Sequence, residues 1–215
     1  MKTKLYILFF LVASFAYSQE LPPIVKYTPN YYGAGNQNWM ISQDQNHYIF
    51  FANNEGLLEY NGSNWKLYPS PNETIIRSVK VIDNKIYTGS YMEFGFWTRK
   101  SDGQLKYTSL SQGIKNQILD DEQFWNILNL DQWVIFQSLN RIYIYDSKAG
   151  NFKIISPKTG VNKSFKTNNS IYFQTIGGKL FEIESGKGRL VSEEAILIKN
   201  RIINIFSINE GLLIQ

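Results

Sequence analysis

Residues 54–69, NEGLLEYNGSNWKLYP, put a glycine, alternating apolar positions, an Asn-Gly pair and a tryptophan into one short stretch. Asn-Gly between two runs of alternating hydrophobics is the strongest short-range hairpin signal, because a tight primed turn needs positive φ and these residues tolerate it. The stretch therefore predicts two strands joined by a tight turn at Asn61 and Gly62. Whether it is one hairpin or a repeated module depends on finding the pattern again.

It recurs. YIFFAN (48–53), KIYTGS (85–90), WVIFQS (133–138), SIYFQT (170–175) and GLLIQ (211–215) align with Ile49, Ile86, Val134, Ile171 and Leu212 in register, at spacings of 37, 48, 37 and 41 residues. Three residues before each stands a turn former: Asn46, Asp83, Asp131, Asn168 and Asn209. An apolar segment precedes each turn, and GLLEY, FGFWTR, RIYIYD and KLFEIE supply third strands. Gly-bearing turns then lead to the fourth strands NWKLY, LKYTSL, FKIIS and RLVS. Four short antiparallel strands per unit of about 40 residues are the pattern of a β-propeller blade. A sandwich or barrel would give no reason for the same turn to recur in the same place. The expected class is all-β, with blades at about 37–70, 74–110, 123–157 and 163–193 and the start of another at 201–215. The long interval falls in residues 109–123, a connection with room for one helical turn. Because the pattern stops inside a strand, the remaining blades are expected beyond residue 215, since propellers avoid an open strand edge.

A chain of 215 residues with 43% hydrophobic and 19% charged content can bury a core. Its first 18 residues carry Lys2 and Lys4, an apolar run over residues 5–13 and the small-residue pattern Ala16-Tyr17-Ser18, which read as a secretory signal cleaved after Ser18. The apolar run is about half the ~20 residues a spanning helix needs. The expected domains are thus a signal peptide at 1–18 and the N-terminal part of a propeller sensor at 19–215. Without the leader, 20 Lys and Arg stand against 18 Asp and Glu, a balance of +2 that suggests no nucleic-acid partner for this segment. Absence of cysteine excludes a disulfide framework and a thiolate zinc site within these residues. Export without disulfides fits a bacterial envelope.

Few residues invite chemistry. His47 stands beside a hairpin turn with no acid or nucleophile at motif spacing, and it reads as exposed and inert. Asp120, Asp121 and Glu122 have the oxygen ligands a hard cation takes, but a solvated loop explains them more simply. SGKGR (185–189) lacks the spacing of a phosphate loop and reads as a turn. Asn61, Asn72, Asn162 and Asn168 each head a glycosylation pattern, but read as turn residues. Trp39, Trp65, Trp97, Trp125 and Trp133 fall on expected strands, where packing between blades is their default role. No catalytic residue, cofactor or metal site is expected, and the chain is not read as an enzyme. The loops after the second strands stand out. NNEG (53–56), SYMEFG (90–95) and SLN (138–140), with Arg77 on a first strand, should open on one face, and loops on a rigid scaffold commonly carry binding groups. The candidate ligand residues are Tyr91, Met92, Glu93, Arg77 and Asn54, the first three in a loop that reads as longer than its equivalents.

Laid out as a blade, residues 38–69 resemble the two-component-regulator propeller repeat through Trp39, Ile41, Asp44, Ala52, Gly56, Leu57, Tyr60, Gly62 and Trp65. Residues 20–150 look like the N-terminal sensor of flavobacterial propeller receptors; the likeness weakens in blade four, which lacks the Trp and the G-L-x-x-Y element. The resemblance implies a periplasmic propeller followed by a three-tyrosine immunoglobulin-like domain, a membrane span and a LuxR-type helix-turn-helix output, or a histidine kinase in hybrid relatives. It also implies a homodimeric receptor anchored in the inner membrane, an extracellular ligand of glycan or small-molecule class, and contacts with downstream domains of the same chain. The expected function is ligand sensing for transmembrane signal transduction and transcription regulation. The alternative is a secreted propeller acting as a glycan- or protein-binding or assembly module, and an enzymatic propeller is a distant third.

Overall fold

The computed structural model describes residues 22–209 and 211–215; the expected leader lies outside the described residues. Four antiparallel sheets of four strands follow one another along the chain, each in simple sequential order. The first holds β1 (Asn38–Gln43), β2 (Ile49–Asn53), β3 (Gly56–Tyr60) and β4 (Trp65–Pro69). The second holds β5 (Ser78–Ile82), β6 (Lys85–Gly89), β7 (Phe94–Arg99) and β8 (Leu105–Ser109). The third holds β9 (Asn126–Leu130), β10 (Trp133–Gln137), β11 (Ile142–Asp146) and β12 (Phe152–Ile155). The fourth holds β13 (Val161–Lys166), β14 (Ile171–Thr175), β15 (Leu180–Glu184) and β16 (Lys187–Ser192). A hairpin of β17 (Ile205–Ile208) and β18 (Gly211–Ile214) follows. These are the blades of a β-propeller. The first strands lie against one another, β1 on β5, β5 on β9 and β9 on β13, so they form the inner ring around the axis.

The middle strands are apolar on both faces because each sheet is covered on both sides, by neighbouring blades or, in the first blade, by the N-terminal segment on one side. Alternation along a strand sends neighbouring side chains to opposite faces. Ile86 and Trp97 therefore pack back against Phe50 and Leu57 of the first blade, while Tyr87 points forward to Phe136 and Tyr143 of the third. Ile135, Ile142 and Ile144 meet Val161, Ile171 and Phe173 at the next interface. Each fully buried large side chain contributes roughly 1.5–3 kcal/mol. The outer face of the first blade is covered by the N-terminal segment, where α1 (Pro29–Tyr32) brings Tyr32 and Ala34 onto Leu58, Phe51, Trp65 and Leu67.

Hydrogen bonds stitch the blades near the inner ring. Ser78 Oγ donates to Phe124 O at 2.8 Å, and Gln137 Oε1 accepts from Ser164 N at 2.8 Å. One blade further on, Gln174 Oε1 accepts from Ile202 N at 2.9 Å, and its Nε2 donates to the carbonyls of Leu197 and Asn200. The helix α2 (Ala195–Lys199) is thereby held against the fourth blade. The connection at 109–123 contains a 3₁₀ segment (Ser111–Gln117), as its length suggested.

Three local expectations fail. The Asn61-Gly62 turn is not a two-residue primed turn: Tyr60 pairs with Trp65, leaving residues 61–64 as the loop, and Gly62 alone of the pair has positive φ, at 94°. Asn61 instead caps the loop, its Oδ1 accepting from the backbone amides of Ser63 and Asn64 at 3.0 and 2.7 Å. Asn162 is not a turn residue but lies in β13. The acidic stretch is not a solvated loop throughout: Glu122 is fully buried and accepts from Tyr143 Oη and Ser138 Oγ, both at 2.5 Å, and from Leu119 N at 3.1 Å.

Candidate functional site

In an antiparallel pair the start of one strand lies beside the end of its neighbour, so each first strand begins where its second strand ends. The pairs Met40 with Ala52, Ser78 with Gly89, Asn126 with Gln137, and Lys163 with Gln174 mark the same level in four blades. The residues just before them are Trp39, Arg77, Trp125 and Asn162. In the first and fourth blades this residue is the extra one of a β-bulge, which re-aims its side chain. All four thus lie at one end of the row of inner strands, the mouth of the propeller.

Three of them form a cluster. The Arg77 guanidinium lies 4.4 Å from the centre of the Trp39 ring and 4.7 Å from that of Trp125. The two indoles, from blades one and three, meet at 5.8 Å with their planes 79° apart, so the cation of blade two sits in an aromatic corner. Trp39 is 37% exposed, and Arg77 and Trp125 are half-buried. The Trp39 Nε1–H donates to Asn54 Oδ1 at 2.8 Å, and Arg77 N donates to Gly89 O at 2.8 Å. Gly89 is required where it stands, because a Cβ there would lie 2.6 Å from Phe124 Cβ and 2.7 Å from Ser78 Oγ. That close approach brings the segment bearing Trp125 up to the second blade. Burial lowers the Arg77 guanidinium from its ordinary value, yet a guanidinium keeps its charge in any such setting. Each cation–aromatic contact is worth about 0.5–2 kcal/mol.

Of the residues marked in the sequence, Asn54 and Arg77 therefore come together, joined through Trp39. Tyr91, Met92 and Glu93 form a separate group at the same end, tied to the 119–124 segment. Met92 N donates to Glu122 O at 2.7 Å, Tyr91 forms a bridge with Gln123, and Asn72 Nδ2 donates to Tyr91 O at 2.8 Å. The Tyr91 hydroxyl, 2.6 Å from Asp121 Oδ1, is held above its usual range by that hydrogen bond. Glu93 Oε1 accepts from Tyr107 Oη at 2.8 Å and Ser109 Oγ at 2.7 Å. The loop is not longer than its equivalents. Residues 90–93 match 138–141 in length, and only the 54–55 turn is shorter.

Trp39 and Trp125 overturn the expectation that all five tryptophans are core. Trp97 is core at 5% exposed, whereas Trp39 and Trp125 open on the mouth. Aligning the residues that enter the first strands would have put Trp39, Arg77 and Trp125 in one column. Among the described residues no group of three His, Asp or Glu side chains is placed to hold a metal. His47 is exposed, in a turn at φ 64°.

No family model and no curated protein matches the chain. Solved structures do. The extracellular domain of the hybrid two-component system BT4673 of B. thetaiotaomicron is similar at 18% identity and TM-score 0.56, over 76% of this chain and 22% of that one. That of BT3049 from the same organism is similar at 14% identity and TM-score 0.58, over 92% and 28%. The WD40 propeller domain of Doa1 matches at 14% identity and TM-score 0.58, over 93% and 66%; an ancestral GH74 enzyme is also similar, at 13% identity. The chain thus spans about a quarter of the length of those two extracellular domains. These likenesses establish the propeller fold.

Proposed function

We propose that the protein is the exported, ligand-sensing propeller of a transmembrane signal-transduction receptor that regulates transcription. The observation that carries this is the mouth itself: a charged group held in an aromatic corner where three blades meet. Loops and strand ends on a rigid scaffold are where binding groups accumulate. The similarity to extracellular domains of hybrid two-component systems supports the sensing role. In this account ligand enters at Asn54 and Arg77. Tyr91 and Met92 form the rim, and Glu93 supports that rim through Tyr107 and Ser109. Ligand binding changes how the blades pack on downstream domains of a homodimeric receptor, whose output is a helix-turn-helix module or a kinase.

Fractionation of the host cells tests this against a secreted binding module. The protein should be recovered with the inner membrane, with a mature N-terminus at Gln19 by mass spectrometry. Recovery as free protein in the medium, or retention of Met1, would overturn the assignment.

A further inference from the structure

We propose that the Trp39–Arg77–Trp125 corner binds the carboxylate of a ring-bearing small molecule, the guanidinium edge taking both carboxylate oxygens and the indoles flanking the ring. This names the ligand class for the mouth and rests on its being the ligand-binding face. The argument starts from the other arginines of the same chain. Arg99 stacks on Tyr48 at 4.7 Å and also reaches Glu59, with Nη2 to Oε2 at 2.7 Å and Nη1 to Oε1 at 3.5 Å. Arg141 donates to Gln117 O at 2.7 Å, and Arg189 is paired with Glu182 and Glu184; Arg201 also has no side-chain partner among the described residues, but it is exposed and has no aromatic clamp. Arg77 has the aromatic clamp of Arg99, doubled. Yet no ion pair or side-chain hydrogen bond to its guanidinium is found among the described residues.

The Arg77 nitrogens are not among the buried atoms that lack a partner, so water meets them in the free protein, and a carboxylate would replace that water with stronger, paired, charge-assisted hydrogen bonds. The guanidinium's planar fork matches two carboxylate oxygens, which an ammonium group would not. The indole planes stand 79° apart, so the guanidinium can lie flat on at most one of them, and the N–H groups turned away from both rings are the part left to meet a partner. The fork fits phosphate as well as carboxylate, so the choice rests on the two indoles at 79°, which supply apolar surface that a phosphate or a bare acetate would leave untouched.

Tryptophan emission of the intact protein gives the readout, because two of its five tryptophans line the corner. Titration with benzoate and with glucuronate should give saturable changes. Acetate should bind at least about 10-fold more weakly, and glucose, sulfate and phosphate should not compete. Arg77→Lys keeps the charge but not the fork and should weaken benzoate binding by about 10-fold or more. Trp125→Leu should weaken it in the same direction, while Arg189→Lys, on β16, should bind as the parent does. Thermal unfolding midpoints of the variants identify any that do not fold, and Arg77→Lys and Trp125→Leu test the corner separately. Failure of both carboxylates to bind, equal binding by Arg77→Lys, or equal affinity for sulfate would overturn the proposal. The sensing role fails on different evidence, since a protein found free in the medium could still bind carboxylates here.

Discussion

Single side chains in this propeller carry two kinds of duty, visible in two tyrosines of the second and third blades. Tyr143 gives its hydroxyl to buried Glu122, an anchor for the segment that leads into β9. Tyr87, 2% exposed, is pushed up to about 12, first by burial and then by Tyr145 and Asp83. A tyrosine whose folded value lies above its unfolded value of 10.0 contributes stability that is complete below pH 10. That contribution is lost as pH rises from 10 through 12, because the unfolded chain releases the proton first. Unfolding free energies from urea titrations should show no loss from this group up to about pH 10 and should then fall by up to about 1.4 kcal/mol per pH unit between 10 and 12. Tyr87→Phe, which keeps the ring, should flatten that slope; an unchanged pH profile in the variant would remove Tyr87 from the account.

Among the elements, the second strands are the most legible and the entries to the first strands the least. Strands 49–53, 85–89, 133–137 and 171–175 could be placed from their β-branched and aromatic runs and the turn formers before them, because both signals are local. The Asn61 loop could not, since an Asn-Gly pair suits both a primed turn and a side-chain-capped loop, and the choice was made by the pairing of Tyr60 with Trp65. The bulge at Trp39 hides the site in the same way: one extra residue re-aims that side chain, and nothing in the local pattern announces it. Gln137 and Gln174 were equally silent. They sit at the ends of apolar strands, and their role appears only when the next blade offers Ser164 N and Ile202 N. Gln137→Leu should therefore cost about 1–3 kcal/mol by leaving the Ser164 amide unpaired in a buried position. Chemical denaturation of the variant checks this, and a loss of less than about 0.5 kcal/mol would show that the stitch between blades three and four adds little.

For the whole molecule, fold and mouth follow from the same geometry: first strands line the axis, so whatever precedes them gathers at its end. The class of fold was readable because a repeat multiplies weak local signals by the number of blades. Asn54 and Arg77 were readable as members of one face. The tryptophans that turn that face into a corner were not, because an indole on a strand is ordinarily core. If the propeller senses a ligand at this mouth and passes the signal on, one residue there should matter as much as the gene. RNA sequencing of the host compares the parent, a strain lacking the gene, and a strain with chromosomal Arg77→Lys whose protein level is verified by immunoblot. The account predicts that transcripts changed by loss of the gene change in the same direction in Arg77→Lys. A transcriptome like the parent's in Arg77→Lys, beside an altered one in the deletion strain, would contradict it.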